Sequence, residues 1–256
     1  MQIFAIKSPL IKPKDDLVAT LLQAVQKAGL KLGNKDVLAV SSKAVASAEG
    51  RLVKLKDVKP SDKAKRLAGK FLLTPKFVEV VLREADKVYG GVEKALLTLK
   101  NNVFTVNAGV DHKNAPIGFA ASWPSNPNGS AEKIRKEIRR RNGKDVGVLI
   151  VDSTVTPLRM GTVGLALGVA GFKPVKDCRG DKDLFKKRLL ITQHAVADDL
   201  ASAAHLIMGE GDEGVPFVLI KGAPVSFMGK VNGEEMKISP DQCVYAKVFL
   251  SKSSAS

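Results

Sequence analysis

Apolar runs alternate with amphipathic stretches along this chain, which predicts strands that alternate with helices. Unbroken apolar runs, which are typical of buried strands, occupy residues 3–6, 37–40, 146–151 and 216–220. Apolar residues at helical spacing predict helices that begin after Asp16, after Ser61 and after Thr74, and another over residues 193–209. We therefore predict an α/β (mixed α+β) fold, in which two interleaved lobes carry mixed sheets flanked by helices.

Several turns and caps are also predicted. Residues 96–106 are expected to form one or two strands with a turn at residues 100–102. Ser130 is expected to cap the helix that follows it. Residues 225–250 are expected to add a hairpin whose turn is Asn232-Gly233.

The length of 256 residues suffices for one large domain or two small ones. No linker is evident, so residues 1–256 are treated as one catalytic unit with a frayed tail at residues 252–256. No apolar run reaches the ~18 residues that span a bilayer, and the first residues lack a secretory pattern. We therefore expect a cytoplasmic protein with no membrane partner. In that compartment Cys178 and Cys243 are expected to be free thiols.

A formal net charge of +15 indicates anionic partners. The densest basic cluster, residues 133–144, is interpreted either as a solvated helix face or as a phosphate-contact patch. One Trp and two Tyr provide few stacking platforms for nucleic acid. Two interpretations of the charge remain: it favours a small anionic ligand over nucleic acid, or it has no functional role.

Three acidic residues stand at glycine-containing junctions: Asp111, Asp152 and Glu210. Asp152 and Ser153 come directly after the apolar run that ends at residue 151. Oxygen ligands from separate strand ends and loops suit hard divalent cations, and paired carboxylates that hold two metals are typical of phosphoryl chemistry. The alternative for each acid is a turn or capping role.

Glycine-rich stretches are compatible with a ligand loop without proving one. Gly209, Gly211 and Gly214 form a GEGDEG loop that either turns its amides toward phosphate or stops a helix. The chain has no P-loop and no strand followed by G-x-G-x-x-G. The glycines at positions 161, 164, 168 and 171 fit one closely packed helix face at least as well as a ligand loop.

Other polar motifs leave their alternatives open. Arg179, in DCRGDKD, either binds an anion or pairs internally with its acidic neighbours. His194 and His205 are expected on one helix but about three turns apart, which argues against a zinc site. No G-x-S-x-G nucleophile motif is present.

Taken together, the motifs resemble the coenzyme F-420-0:L-glutamate ligase family, also called the F-420 gamma-glutamyl ligases. The similar segments cover most of the chain and follow the family's order. They are SPLIKPKDDL, VLAVSSKAVASAEGR, VNAGVDHKN, NPNGSAEKIR, VDSTVTPLRMGTVGLALGVAG, DCRGDKDLF and VADDLASAAHLIMGEGDEGVPFVLIKG.

The resemblance implies a GTP-dependent acid–amino-acid ligase. In that family GTP activates the lactyl-phosphate carboxylate of coenzyme F-420-0, as an acyl phosphate, and the amine of L-glutamate then forms the amide, with further gamma-glutamyl extension. It also implies two divalent cations (Mn or Mg), potassium, and a homodimer.

By the same resemblance, Asp111 and Asp152 match the family's first metal site, and Ser153 and Glu210 match the second. No catalytic general base is assigned. The implied nucleotide contacts are Pro9, Leu10, Ser42, Lys43, Ser47, Asn114, Met208, Gly209, Gly211 and Gly214.

The chain departs from the family pattern at three places. Asn126-Pro127-Asn128 stands where the family has acid-Pro-acid, Val155-Thr156 where it has Gly-Arg, and Lys186 where it has Gly. Two alternatives therefore stay open: a paralogous ligase that acts on another carboxylate, and a non-catalytic protein that binds nucleotide or nucleic acid. The residues fix neither GTP over ATP nor the metal nor the number of glutamates added.

Overall fold

A computed structural model describes residues 1–246, which divide into two units. The first unit comprises Met1–Lys54 and Asp111–Gly233, and the second comprises Leu55–Val110 with the residues from Glu234 onward. The strands are β1 (Gln2–Ile6), β2 (Val37–Ser41), β3 (Leu52–Lys54), β4 (Lys87–Val92), β5 (Ala95–Lys100), β6 (Val103–Val106), β7 (Phe119–Ala121), β8 (Gly147–Val155), β9 (Thr162–Ala170), β10 (Lys176–Asp177), β11 (Gln193–His194) and β12 (Phe217–Lys221). The helices are α1 (Leu17–Lys27), α2 (Ser42–Ala48), α3 (Asp62–Phe71), α4 (Pro75–Glu84), α5 (Pro127–Asn142) and α6 (Val196–Met208).

A five-stranded mixed sheet organises the first unit, in the order β1-β12-β2-β8-β9. β2 and β8 run parallel, from Val37 opposite Gly147 to Ser41 opposite Val151, and the other neighbours are antiparallel. Residues 37–40 and 217–220 have no exposed surface, which explains their continuously apolar sequence. The predicted α/β class and the four predicted strands are confirmed; β2, β12 and the first part of β8 are buried, whereas in β1 only Ile6 is buried.

The predicted starts of α1, α3 and α4 are confirmed, and in α1 and α3 a side chain satisfies a free backbone amide. The Asp16 carboxylate accepts a hydrogen bond from the Ala19 N–H at 3.0 Å, at the start of α1. The Ser61 hydroxyl accepts one from the Ala64 N–H at 3.2 Å, at the start of α3. Pro75 occupies the first turn of α4, where its missing N–H costs nothing.

The glycines between residues 161 and 171 do not form a helix face, because Gly164 and Gly168 lie in strand β9. A Cβ at Gly164 would stand 2.2 Å from the Ala201 carbonyl oxygen of α6. A Cβ at Gly168 would stand 2.4 Å from the Pro127 carbonyl oxygen at the start of α5. These glycines therefore allow two helices to lie directly against the strand.

The cap predicted at Ser130 is wrong. Helix α5 begins at Pro127, and Asn126 caps it by accepting a hydrogen bond from the Gly129 N–H at 2.9 Å. Ser130 is buried one turn into the helix, where its hydroxyl donates to the Glu49 carboxylate at 2.5 Å. Proline is favoured at the first helical position, so the helix starts earlier than the serine signal suggested.

The hairpin predicted over residues 225–250 is also not found in its described part, up to residue 246. Phe227 makes only an isolated bridge to Phe172, and the Asn232-Gly233 pair leads into a 3-10 helix at Gly233–Met236 instead of a turn. Residues 247–250 and the predicted tail at residues 252–256 lie outside the described residues. His194 belongs to β11 and not to a helix, because α6 begins at Val196.

The second unit contains the antiparallel sheet β4-β5-β6 and the helices α3 and α4. The predicted turn at residues 100–102 is confirmed: Asn101 and Asn102 adopt positive φ between β5 and β6. Lys100 is buried and pairs with Glu84 at 2.6 Å, which satisfies a charge that burial would otherwise penalise.

Two further predictions can be compared with the described chain. Cys178 and Cys243 are both free thiols. Among residues 1–246, none of the helices combines the length and apolar character that a bilayer-spanning segment requires.

Candidate functional site

The parallel pair β2 and β8 brings two polar segments to one edge of the sheet. Ser41 is opposite Val151 in this pair, so the residues that follow these two positions are neighbours. After Ser41 comes helix α2 with Lys43, and after Val151 come Asp152 and Ser153. The ends of adjacent parallel strands are a common place for ligand sites, because loops and helix starts meet there.

Lys43 forms an ion pair with Asp111, with 2.7 Å between its Nζ and the carboxylate Oδ2. Backbone hydrogen bonds with Ala121 fix Asp111, which donates its N–H to the Ala121 carbonyl at 3.0 Å and accepts the Ala121 N–H at 2.9 Å. The Lys113 N–H donates to the other carboxylate oxygen at 3.0 Å. Burial alone would raise the pKa of Asp111, but the charge and hydrogen bond of Lys43 outweigh burial and lower it.

Asp152 is held by two donors. The Trp123 indole N–H donates to Oδ2, and the Ser153 N–H donates to Oδ1 at 2.8 Å. Burial raises the pKa of Asp152 in spite of these donors and of the nearby Lys43 charge.

Glu210 begins the loop after helix α6 and is tied to three elements. Its Oε1 accepts hydrogen bonds from the Thr162 hydroxyl at 2.7 Å and interacts with the His205 ring Nε2 at 2.8 Å. Its Oε2 lies 3.5 Å from the Lys113 ammonium. Burial opposes ionisation, but these partners together lower the pKa of Glu210 to about 2.

The three predicted acids act on one ammonium group. Burial disfavours the charged form of Lys43, but three surrounding carboxylates outweigh that effect and raise its pKa. They are the carboxylates of Asp111, Asp152 and Glu210. This negative field and the carboxylate oxygens suit hard divalent cations, whereas the described contacts of Ser153 involve only its backbone. Within residues 1–246, no three His, Cys, Asp or Glu side chains form a ready-made metal cage.

A cavity of about 340 Å³ lies beside Lys43. Nine of the ten residues assigned above to the nucleotide line it. They are Pro9, Leu10, Lys43, Ser47, Asn114, Met208, Gly209, Gly211 and Gly214. Ser42, the tenth, is not part of the lining.

The cavity lining combines two kinds of surface. Leu10, Ile11, Met208 and Val215 offer apolar side chains, which suit the faces of a flat heterocycle. Lys43 is the positively charged residue of the lining, Asp212 and Glu213 are its acidic residues, and the loop at residues 211–216 borders it. The lining therefore offers apolar surface to a ring and a lysine to an anionic group, with two acids nearby.

The loop that borders the cavity depends on Gly209. This residue ends helix α6 with φ 74° and ψ −179°, a backbone conformation that is nearly exclusive to glycine. A Cβ there would stand 2.1 Å from the Glu213 carboxyl carbon. The Glu213 carboxylate in turn accepts the Gly211 N–H at 2.8 Å, which stabilises the turn.

Two other sequence candidates are not brought to this site by any described contact. Arg179 pairs with its neighbour Asp177 at 2.6 Å, so the internal-pairing alternative is confirmed. In the basic helix α5, Arg140 pairs with Glu137 at 2.7 Å and Arg141 pairs with Asp16 at 2.6 Å. These arginines are partly neutralised surface groups.

Asn126 and Asn128, where the family resemblance leads us to expect acids, are engaged in the fold. Asn126 caps α5, and the Asn128 side-chain oxygen accepts the Val169 N–H at 3.1 Å. A carboxylate would accept the same hydrogen bonds. The exchange therefore removes two negative charges without requiring a different local backbone.

Sequence reasoning missed Trp123, Thr162 and His205, which hold the side chains of Asp152 and Glu210. No local pattern marks Trp123 or Thr162. His205 could have been found as a residue one turn before the acidic loop, whereas Trp123 is brought to Asp152 only by the path of the chain.

Comparison with known proteins gives one consistent result. A family model described as F420-0:gamma-glutamyl ligase matches residues 5–222. A coenzyme F420:L-glutamate ligase of Methanothermobacter thermautotrophicus is 35% identical over 233 residues, which are 91% of this chain and 92% of that protein. Proteins of the same name are 40% identical in Methanopyrus kandleri, over 83% of this chain and 82% of the relative, and 41% identical in Methanocaldococcus jannaschii, over 78% and 80%.

Proposed function

Because this chain belongs to the F420-0:gamma-glutamyl ligase family, we propose that it joins L-glutamate to the lactyl-phosphate carboxylate of coenzyme F-420-0 at the expense of GTP. The relatives' name, coenzyme F420:L-glutamate ligase, supports the two substrates. The observation that carries the proposal is the cavity beside Lys43, whose lining includes nine of the ten nucleotide residues that the family resemblance implies.

The reaction is proposed to have two steps. A carboxylate oxygen of the deazaflavin substrate attacks the γ-phosphorus of GTP, the bond from phosphorus to the bridging oxygen breaks, and GDP leaves with that electron pair. The glutamate amine then attacks the acyl carbon, the carbon–oxygen bond to phosphate breaks, and phosphate leaves. The proton that the amine loses passes to phosphate or water. A further gamma-glutamyl addition repeats the same steps.

The lysine and the lining hold the nucleotide in this proposal. Lys43 is the positively charged residue of the lining, so it pairs with phosphate oxygens. The apolar side chains of Leu10 and Met208 cover the base. The sequence motifs mark no base-reading contact, so the choice of GTP over ATP rests on the family resemblance.

Two divalent cations, Mn²⁺ or Mg²⁺, fit the donor set, with Asp111 and Asp152 for one and Ser153 and Glu210 for the other. When bound they supply charge neutralisation for the transferring phosphoryl oxygens. Magnesium sites often use one or two carboxylates and complete their shell with substrate phosphates. Potassium is a further cation that the family resemblance implies.

A direct assay tests the proposal. The purified protein is incubated with coenzyme F-420-0, L-glutamate, GTP and Mn²⁺, and the products are analysed by mass spectrometry. We expect a product heavier by one or more glutamyl units and an equal amount of GDP. The variant Asp152→Asn should lose both products, whereas Asp62→Asn, on the exposed surface of the second unit, should keep them. Nucleotide hydrolysis without ligation, or no reaction, would contradict the proposal.

The same assay separates the alternatives. If the protein ligates glutamate to a different carboxylic acid and leaves F-420-0 unchanged, it is a paralogous ligase. Asn126 and Asn128, where the chain departs from the family pattern, would then account for the different substrate. For nucleic-acid binding through α5, the triple variant Arg139→Ala, Arg140→Ala, Arg141→Ala is compared with the parent. Ligation should be unchanged, and salt-dependent retention on DNA should be absent in both proteins.

We also propose a homodimer, supported by an exposed hairpin that we call the apolar arm, residues 176–194. Its ends pair as β10 and β11, and the Gly180 N–H donates to the Leu189 carbonyl at 2.9 Å. Large apolar side chains along it are 81% to 98% exposed, namely Leu184, Phe185, Leu190 and Ile191. Such a concentration of apolar surface is typical of an interface.

Sedimentation equilibrium tests this part of the proposal. The parent should have twice the mass of one chain, and the double variant Phe185→Glu, Leu190→Glu should have the mass of one chain. Val92→Glu, at another exposed apolar position, should remain dimeric. A monomeric parent would exclude the homodimer and leave the assignment of the ligase reaction to the assay above.

A further inference from the structure

A three-residue segment, Ala121 to Trp123, contacts both Asp111 and Asp152, the two acids proposed to bind the first cation. The Ala121 backbone exchanges two hydrogen bonds with the Asp111 backbone, at 2.9 and 3.0 Å. Two residues later, the Trp123 indole N–H donates to the Asp152 carboxylate. Strand β7, which pairs with β3, leads directly into this segment. One stretch of chain therefore sets the backbone of one acid and the side chain of the other.

The indole of Trp123 is itself rigidly placed. Only 4% of the residue is exposed, and its carbonyl oxygen accepts a hydrogen bond from the Arg51 Nε at 3.1 Å. An indole N–H is a donor without acceptor capacity, so it cannot ligate a cation. It occupies one lone pair of Asp152 Oδ2, and the second lone pair of that oxygen stays available to another group. The Ser153 N–H takes a lone pair of Oδ1 in the same way.

We propose that Trp123 is a positioning residue, whose indole N–H orients the Asp152 carboxylate for cation binding and whose fluorescence reports an ion at that carboxylate. The inference rests on the proposed function in one respect, namely that Asp152 binds a cation. Partners that orient ligating carboxylates contribute strongly to metal affinity, and their loss typically weakens it by about 10–100-fold. Trp123 is the chain's sole Trp, so excitation at the red edge of indole absorption, where the two Tyr do not absorb, gives a signal with one source.

The first experiment uses Tb³⁺, a hard cation whose luminescence is sensitised by a nearby indole. Excitation of Trp123 in the parent protein should give saturable Tb³⁺ emission that Mn²⁺ competes away. Asp152→Asn should abolish the emission, and Asp62→Asn should not. Absence of emission in the parent, or its persistence in Asp152→Asn, would overturn the inference.

The second experiment removes the N–H and keeps the ring. Growth of a tryptophan auxotroph on benzothienylalanine, in which sulfur replaces the indole N–H, changes position 123 alone. Calorimetric titration with Mn²⁺ should show affinity about 10–100-fold below that of the parent. Trp123→Phe should show a similar loss, and Trp123→His, which offers a ring N–H, should recover part of it. Unchanged Mn²⁺ affinity in the analogue protein would exclude the positioning role.

A packing control separates positioning from general destabilisation. Phe172 is fully buried in the same unit and lies against Gly147, the first residue of β8. Asp152 comes five positions after Gly147, or about 16 Å along a strand. Phe172→Leu should lower the melting temperature without changing Mn²⁺ affinity. A loss of affinity in Phe172→Leu equal to that in Trp123→Phe would assign the Trp123 effect to stability.

The inference and the proposed function fail in different measurements. The terbium and calorimetric titrations contain neither F-420-0 nor glutamate, so they do not depend on ligation. A protein that binds cations as described but forms no glutamyl product would refute the ligase and retain the role of Trp123. A protein that ligates with unchanged Mn²⁺ affinity in the analogue form would refute the role of Trp123 alone.

Discussion

The Lys43 ammonium lies 2.7 Å from the Asp111 carboxylate, although 68 positions separate the two residues in sequence. The pair is partly shielded, with side-chain exposures of 23% and 36%. Asp152 and Glu210 act on the same ammonium. A single positive charge therefore balances a group of carboxylates beside the cavity. Glycines shape the chain around this group.

Replacement of Lys43 should impair the use of nucleotide. Lys43→Met removes the positive charge of the cavity lining and keeps an apolar chain of similar length. We expect kcat/KM for GTP to fall on the order of 10²-fold, because a preorganised charge contributes that much to phosphoryl transfer. Lys136→Met, at a largely exposed lysine of α5, should leave kcat/KM unchanged. Equal activity in the two variants would rule out a role for Lys43 in phosphate binding.

Glu210 should make stability depend on pH in the acidic range. Its pKa is about 2 in the folded protein and 4.5 for the free side chain. Between these values the unfolded chain binds a proton that the folded protein does not, so stability rises with pH. The contribution is complete above pH 4.5 and is lost as pH falls toward 2.

Urea unfolding from pH 2 to pH 6, in the presence of a chelator, measures this effect. The parent should lose stability more steeply than Glu210→Gln as pH falls, because the amide cannot titrate. His205→Ala and Thr162→Val, which remove partners of the carboxylate, should bring the parent's slope closer to that of Glu210→Gln. Parallel curves for parent and Glu210→Gln would show that Glu210 titrates normally.

Gly209 should be intolerant of any side chain. The combination of φ 74° and ψ −179° costs other residues about 1–3 kcal/mol, and a Cβ would overlap the Glu213 carboxyl group. Gly209→Ala should therefore reduce the free energy of unfolding by that amount and weaken GTP binding by displacing the cavity loop. Gly69→Ala, at an open site within α3, should instead stabilise the protein by about 0.5–1 kcal/mol. Chemical denaturation and nucleotide titration measure both effects.

Gly164 should be equally sensitive for a different reason, namely close contact with a helix. A Cβ there would stand 2.2 Å from the Ala201 carbonyl oxygen, so α6 would have to move away from β9. Gly164→Ala should destabilise the fold by about 1–3 kcal/mol. Gly229→Ala adds a methyl group where no atom lies within 4 Å, and it should change the free energy of unfolding little. If both variants unfold at the same urea concentration, the close packing of α6 on β9 is refuted.

Local sequence patterns predicted much of the fold because each depends on residues only a few positions apart. Asp16 and Ser61 cap helices by bonding to amides three residues later. The same logic failed at Ser130, where Pro127 started the helix one turn earlier. It also failed for Gly164, because close packing by glycine occurs in strands as well as helices.

The candidate site was predicted through family resemblance and not through periodicity. The residues so assigned as nucleotide contacts come together around one cavity, with Ser42 as the exception. Their proposed roles stay predictions until the assays above are done. The partners of the acids, such as Trp123 and Thr162, carry no motif and were not foreseen.

The sequence by itself determined the alternation of strands and helices, most of the helix starts and the identity of the acids, because these depend on local preference or on recognisable segments. Only the tertiary structure decided that Lys43 meets Asp111, that Trp123 meets Asp152 and that Thr162 meets Glu210. These contacts join residues 68, 29 and 48 positions apart. Such distances are closed by strand register and helix packing over the whole unit, which no short window of sequence contains.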